Sequence, residues 1–300
     1  MKRRFLRLAA ATLASAAAAA SAQIEVTWSL VHDRTVLMEP VLARVRIANY
    51  SGQDLDLTAR GNAKLDFQVE DQPTSTVATY GALLANRPVI VPAGDVRDVE
   101  VNLLDAYRLL KGQTYSLAPV LEFAGMRFLG ARLALEVQPG LELFKRDYGM
   151  PADEDARAAS LRLLHRERSD HLFFRLDKPA TGYCLGVYDL GRVIRFFAPR
   201  LERDGAGAFH VLHQNGPDRF VHSEFDGNGV PRDRKYYAAE SGGIRLERLD
   251  TGAVQVAGGT PFEVDPDHPG MLTAPVLPPA NPYDMNIGEL PAKGKLPPAK

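Results

Sequence analysis

Residues 24 to about 140 alternate apolar and polar side chains in runs too short for helices, and turn residues separate the runs. Ile24, Val26 and Trp28 alternate with Glu25 and Thr27. Val41, Ala43, Val45 and Ile47 alternate with Leu42, Arg44 and Arg46. Asn49-Tyr50-Ser51-Gly52 then marks a turn, and Leu55 and Leu57 resume the pattern. The same period recurs at Leu65, Phe67 and Val69, at Val99, Val101 and Leu103, and at Tyr115, Leu117 and Pro119. Val89-Ile90-Val91 runs into the turn Pro92-Ala93-Gly94-Asp95, and the last strand is expected near Leu133–Val137. A period of two sends successive side chains to opposite faces, so each run reads as a half-buried strand. Many short strands at close spacing predict a β-sandwich over residues 23–140.

Two stretches carry a resemblance. Val45-Arg46-Ile47-Ala48-Asn49-Tyr50-Ser51-Gly52 is similar to the strand-and-turn entry of bacterial extracytoplasmic immunoglobulin-like domains. Val99 to Leu104, Tyr107 and Lys111-Gly112-Gln113-Thr114-Tyr115 are similar to their late Tyr-Gly-Tyr element. The resemblance implies a sandwich in which Tyr115 packs back on the sheets. It implies no activity, because the fold hosts many.

Residues 141–160 read as a connector. Pro151 followed by Asp153, Glu154 and Asp155 predicts a helix start, with one or two turns over Ala156–Leu164. Residues 161–262 read as a second β-domain of repeated hairpins. Arg200-Leu201-Glu202-Arg203 recurs as Arg245-Leu246-Glu247-Arg248, and Gly207–Val211 recurs as Gly252–Val256. A second echo places Tyr183–Asp189 on Phe220–Asp226. First turns are expected at 168–170, 204–207 and 250–252, and second turns at Asp189-Leu190-Gly191 and Asp226-Gly227-Asn228-Gly229. Such units weakly resemble β-propeller blades, yet two and a half of them cannot close a ring of at least about four. From Thr260 onward lie ten of the chain's 21 prolines, so residues 263–300 are expected to be a disordered tail.

The first 22 residues read as a secretory signal peptide. Lys2, Arg3 and Arg4 precede an alanine-rich apolar run that ends at Ala20-Ser21-Ala22. Export to the periplasm or the medium is therefore expected. No later stretch looks like a membrane span, so no stable membrane insertion is expected. The chain's net charge of −1 includes the basic leader, which gives no reason to expect nucleic acid. A single cysteine, Cys184, can form no internal disulfide and reads as a buried thiol.

Catalytic signatures are absent: there is no G-x-S-x-G, no H-E-x-x-H, no phosphate loop and no dinucleotide fingerprint. One cluster invites a metal. If Gln214 pairs with Arg219, His213 and His222 share a face, Glu224 joins them, and His210 points away. The plainer alternative is ordinary strand histidines, and no cofactor is expected. Tyr236-Tyr237 and Phe196-Phe197 read as packing residues, or as a sugar platform if exposed. The sequence thus describes an all-β exported protein acting as a non-enzymatic binding or scaffold module for a protein or glycan, with a homo-oligomer one way to close the blades. A polysaccharide or peptide hydrolase is the alternative, and a proteinase inhibitor using residues 71–88 is the third reading.

Overall fold

The computed structural model describes residues 24–263, except 73, 74, 86, 151, 152 and 241. The expected signal peptide and the tail beyond Glu263 lie outside the described residues. The described chain is all-β, as its periodicity implies, with one short 3-10 turn at Leu103–Asp105.

Eleven strands form the N-terminal part. They are β1 (Ile24–Leu30), β2 (Arg34–Val36), β3 (Leu42–Asn49), β4 (Leu55–Asp56), β5 (Ala63–Gln72) and β6 (Ser75–Thr76). The series continues with β7 (Ile90–Val91), β8 (Val96–Asn102), β9 (Thr114–Phe123), β10 (Met126–Leu129) and β11 (Leu133–Gln138). One main sheet has the order β1-β3-β8 and the other β2-β11-β9-β5-β6, with β10 beside β9, while β4 and β7 pair as a separate two-stranded ribbon. Only the β2–β11 pair is parallel in these two sheets. Val45, Ile47 and Val101 from the first sheet meet Leu65, Phe67, Leu117 and Leu121 from the second in one apolar core. Burying each such side chain contributes about 1.5–3 kcal/mol. The expected turn after β3 is organised by Asn49, whose side-chain amide donates to the carbonyls of Gln53, Val91 and Pro92. At the start of β9 the Tyr115 hydroxyl accepts from Lys111 N and donates to Lys111 O, at 3.1 and 3.2 Å.

Residues 141–166 depart from the expected connector and helix. They form the hairpin of β12 (Leu141–Met150) and β13 (Asp153–Arg166). The reason is double burial. Ala159, Leu161 and Leu163 face one side of β13 while Ala158, Ser160 and Leu164 are buried on the other. A strand covered on both faces loses its alternation and reads as a continuous apolar run. Next come β14 (Ser169–Lys178) and β15 (Tyr183–Arg192), completing a sheet of order β12-β13-β14-β15. Asp189-Leu190-Gly191 is therefore no turn. It lies inside β15, where Leu190 is an extra residue in the ladder with β14.

The following strands are β16 (Arg200–Arg203), β17 (Phe209–Gly216), β18 (Arg219–Phe225), β19 (Pro231–Ala238), β20 (Arg245–Arg248), β21 (Val254–Ala257) and β22 (Thr260–Phe262). Strands β16-β17-β18-β19-β22 make a second sheet, and β20-β21 a two-stranded third. The 45-residue echo holds in the pairing itself. Arg200 pairs with Leu212 and Arg203 with Phe209; Arg245 pairs with Ala257 and Arg248 with Val254. The two equivalent turns touch, with Gly205 N donating to Gly252 O at 2.8 Å. The sheets stack as layers. Phe174 and Tyr188 of the first meet Phe209 and Phe225 of the second, with Phe174 and Phe225 stacked at 4.4 Å. Leu212 and Phe220 on the far side of the second sheet pack under Ile244, Leu246 and Val256. The outward side of the last hairpin carries Arg245 and Gln255, both exposed, which ends the stack on a polar surface.

Candidate functional site

Three places in the molecule concentrate chemistry. The first joins the two parts. Arg166, at the end of β13, has a side chain that is 1% exposed. Its guanidinium donates to Glu39 Oε1 at 2.7 Å and to Asp189, and it lies over the Phe173 ring at 5.1 Å. Glu39 sits in the loop after β2, where its other oxygen accepts Val36 N at 2.8 Å. Asp189 owes its direction to the bulge in β15, a common device for re-aiming a strand side chain. It also accepts from Gly191 N at 2.7 Å and faces His171 Nδ1 at 3.0 Å. Burial pushes Glu39 up to about 7 against the pull of Arg166. Burial works the same way on Asp189, but the His171 contact and the Arg166 charge outweigh it and hold that carboxyl well below its usual range. Around this triad Val36 and Met38 from the N-terminal part pack on Leu164, Phe173, Cys184 and Val187. The arrangement clasps two bodies together. Both carboxylates are engaged by the guanidinium, so neither stands free as a general base.

The second place holds the histidines. The ladder has an extra residue at Asn215, so Gly216, and not Gln214, pairs with Arg219. That one-residue shift moves every side chain of β17 to the other face relative to the sequence-based register. His213 thus faces β14 and β15, on the opposite side of the sheet from His222 and Glu224. His210 takes its place beside His222, with Nδ1 to Nε2 at 3.1 Å and the rings parallel. Asp204 Oδ2 stands 3.5 Å from His210 Nε2. Burial, then the neighbouring His210, lower His222 to about 4. His213 is fully buried, and burial followed by the Arg234 charge lowers it to about 3. No group of three or more His, Cys, Asp or Glu among the described residues is arranged to hold a metal ion.

Other sequence candidates are absorbed by structure. The turn expected at Asp226-Gly227-Asn228-Gly229 forms, with Asp226 accepting Asn228 N and Val230 N at 2.9 Å each. Cys184 is buried, and burial pushes its thiol up to about 12, so it is not a thiolate at neutral pH. Phe197 packs edge-on against Phe220 and Tyr236 lies tilted beside Phe262, while Phe196 stays exposed and is not absorbed. The 71–88 stretch is tied down: Val77 N donates to Val69 O, Tyr80 N to Ala106 O, and Gly81 approaches Asp105 O closely.

The third place escaped the sequence reading. A cleft of about 640 Å³ opens at one end of the N-terminal sandwich, between the start of β5, the β9–β10 hairpin and residues 81–85. Leu57, Leu83, Leu84 and Phe123 supply apolar walls. The charges on its rim are paired, Lys64 with Asp66 at 2.9 Å and Arg127 with Glu122 at 3.3 Å. No His, Cys, Ser or Tyr is among the lining residues described. The only sequence signal for it is the position of the 81–85 segment after a long polar loop.

No family model matches the chain, and no curated protein matches it. Among solved structures it is similar to the sporulation control protein Spo0M from Bacillus subtilis, at 11% identity over 54% of this chain and 82% of that one, with a TM-score of 0.25. The K499G mutant of NanB sialidase from Streptococcus pneumoniae matches at 8% identity and a TM-score of 0.27 over 83% of this chain, which spans 48% of that protein. A DUF4784 family protein from Bacteroides caccae matches at 8% identity and a TM-score of 0.21, over 85% and 84% of the two chains. Likenesses at this level define no specific function. Among the described residues no helix is long and apolar enough to cross a membrane.

Proposed function

We propose that this chain is an exported, non-enzymatic binding module whose N-terminal sandwich holds the ligand site and whose stacked sheets form its mount. The observation that carries the reading is the end cleft, with apolar walls, a rim of mutually paired charges and no nucleophile–base pair. Binding clefts are mostly apolar with a few placed polar groups, whereas a catalytic site needs an acid or base free to act. The strongest shifts fall on groups outside the cleft lining: Glu39 and Asp189 of the Arg166 clasp, His213, His222, Cys184, and Tyr107, whose hydroxyl is bonded to the cleft residue Asp66. The order of strands in the two N-terminal sheets and the Tyr115 corner at the start of β9 support an immunoglobulin-like sandwich. Such a sandwich gathers loops at its ends, which is where this cleft lies. The ligand is a segment of protein or glycan.

The test uses the mature chain and the dye 1-anilinonaphthalene-8-sulfonate, an anion with an apolar ring system. Saturable binding at one site, lost on Leu84→Glu with the fold intact by circular dichroism, is the expected result, together with no turnover on a hydrolase panel. Turnover that disappears on His171→Asn or His222→Asn would replace this reading with the hydrolase.

A further inference from the structure

We propose that two copies of this chain associate edge to edge through β12, antiparallel about a two-fold axis at Arg146, so that two four-stranded sheets join into one continuous sheet.

β12 leaves an edge open. It is an outer strand of its sheet, and among the described residues it pairs only with β13. An unpaired edge is a template for another strand, and proteins usually shorten or cover such edges. Several outer strands here follow that rule. β2, β6, β16 and β22 have only two to four residues, and β15, ten residues long, is largely buried. β12 is also ten residues long, yet Glu142, Leu143, Lys145, Arg146, Asp147 and Gly149 along it are all exposed. Leu141 and Leu143 are 59% and 39% exposed, large apolar side chains standing in water.

The centre of this strand is symmetric. Its ladder with β13 is regular from Phe144 to Tyr148 and shifts on either side, between Glu142 and Phe144 and between Tyr148 and Met150. Arg146 is the midpoint of the regular stretch. A two-fold axis relating antiparallel strands passes between two identical residues, because directly opposed side chains share a face. Placed at Arg146, the axis sets Lys145 opposite the second copy's Asp147, and Asp147 opposite its Lys145, on one face. On the other face it sets Phe144 opposite Tyr148 in both directions. Both of these rings already lie half-buried against the core between the sheets, Tyr148 edge-on to Phe209 at 5.5 Å. Moving the axis by one residue would oppose Lys145 to itself or Asp147 to itself.

The charges select the occupant. At a spacing of two residues on one strand, Lys64–Asp66, Arg175–Asp177, Lys235–Asp233 and Arg245–Glu247 all close into ion pairs, between 2.7 and 3.4 Å. Lys145 and Asp147 have the same spacing and opposite signs on one face, yet neither makes an ion pair among the described residues. Unpaired charges on an edge repel most strands. A strand that carries them in reverse order is the exception, and an antiparallel copy of β12 is such a strand. Arg146 opposes this pairing, because it meets its own counterpart at the axis. Its guanidinium lies over the Tyr148 ring of its own strand at 5.5 Å, and one like pair stands against two opposite pairs. Five paired residues form about four to six backbone hydrogen bonds between copies, which makes the dimer weak and concentration-dependent.

The experiment is sedimentation velocity of the full mature protein over a concentration series that reaches millimolar. The expected result is a monomer–dimer equilibrium. Lys145→Asp and Asp147→Lys should each weaken self-association about tenfold, since each variant turns two opposite pairs into two like pairs. Both side chains are exposed, so the fold should survive either change. An equimolar mixture of the two variants should recover the dimer, because every opposed pair across the mixed edge has opposite signs again. Arg146→Thr removes the like pair at the axis and should tighten the dimer about threefold. A monomer throughout the series would overturn the proposal. So would a dimer that the two charge reversals leave unchanged, or one that their mixture fails to restore, since the contact would then lie on another surface.

Discussion

Asn49 and His213 are both 0% exposed, one in each half of the molecule, and they stand in opposite situations. The Asn49 amide donates to three carbonyls, and its oxygen accepts from Ser51 N and Ser51 Oγ. His213 finds no well-formed hydrogen bond for either ring nitrogen among the described residues. The contrast extends beyond the pair. The sandwich buries few ionisable groups in its core, and Asn102, like Asn49, serves a turn, accepting Val41 N and Leu104 N. The stacked sheets bury Arg157, Arg166, His210, His213 and His222. A buried neutral amide that is fully bonded stabilises a fold at every pH. A buried histidine or ion pair makes stability conditional on protonation and on its partners. The two halves therefore answer different perturbations, and the largest expected response lies where they meet.

Arg166→Ala should cost about 3–5 kcal/mol, because it takes the one cation away from two buried carboxylates and leaves Glu39 with only Val36 N and Asp189 with only His171 and Gly191 N. Urea denaturation measures it. The loss should appear in both halves, since Glu39 belongs to one and Asp189 to the other. A change under about 1 kcal/mol would rank the clasp with exposed ion pairs, and the comparison would lose its hinge point.

The second prediction separates the halves by pH. His213 and His222 have folded values of about 3 and about 4, below their unfolded 6.5. The unfolded chain therefore binds more protons as pH falls below about 6.5, and the stability these groups protect is full above that pH and drains away towards 4. Glu39 runs the other way. Its folded value of about 7 exceeds the unfolded 4.5, so its contribution grows as pH falls from about 7 to 4.5 and offsets part of the loss. The net slope is that of the histidines less one carboxyl, on the order of a few kcal/mol between pH 6.5 and 4. His213→Gln should flatten this limb in denaturation midpoints taken across that range. An unchanged slope would mean that His213 is not the group being titrated.

How much of this could be read from the chain differs by region for a physical reason. In the sandwich each strand has one wet and one dry face, so Val45 and Ile47 alternating with Arg44 and Arg46 announces β3 and its facing directly. The hairpin β12–β13 was illegible because Ala158 and Ala159 are both buried, which erases the period. Pairing across the β17–β18 turn depends on whether Asn215 is counted in the ladder, and composition carries no mark of that. The bulge exchanges His213 for His210 as the partner of His222, so the proposed ligand set His213, His222 and Glu224 is divided between two faces. The Arg166 clasp joins residues 127 apart, Glu39 and Arg166, with no local pattern at either end. The cleft is a property of three loops meeting, and no single segment encodes it.

The smallest effect expected is at Asn49. Replacing it with alanine removes donors to Gln53, Val91 and Pro92, leaving one fully buried carbonyl, Val91, and two at the margin without their partner. A neutral buried group stripped of its bond costs about 1–3 kcal/mol, and water can reach part of this turn, so about 2 kcal/mol is expected. The sharper point is its pH dependence. Asparagine does not titrate, so the loss in Asn49→Ala should be the same at pH 7.5 and pH 5, while the loss or gain in His213→Gln changes between them. Equal pH dependence in both variants would mean that the two halves unfold as one unit whose acid response is shared through the clasp. Combining Asn49→Ala with Arg166→Ala then decides the matter. Additive losses show that the sandwich edge and the clasp act independently, whereas a coupling of more than about 0.5 kcal/mol shows that strain at one is carried to the other.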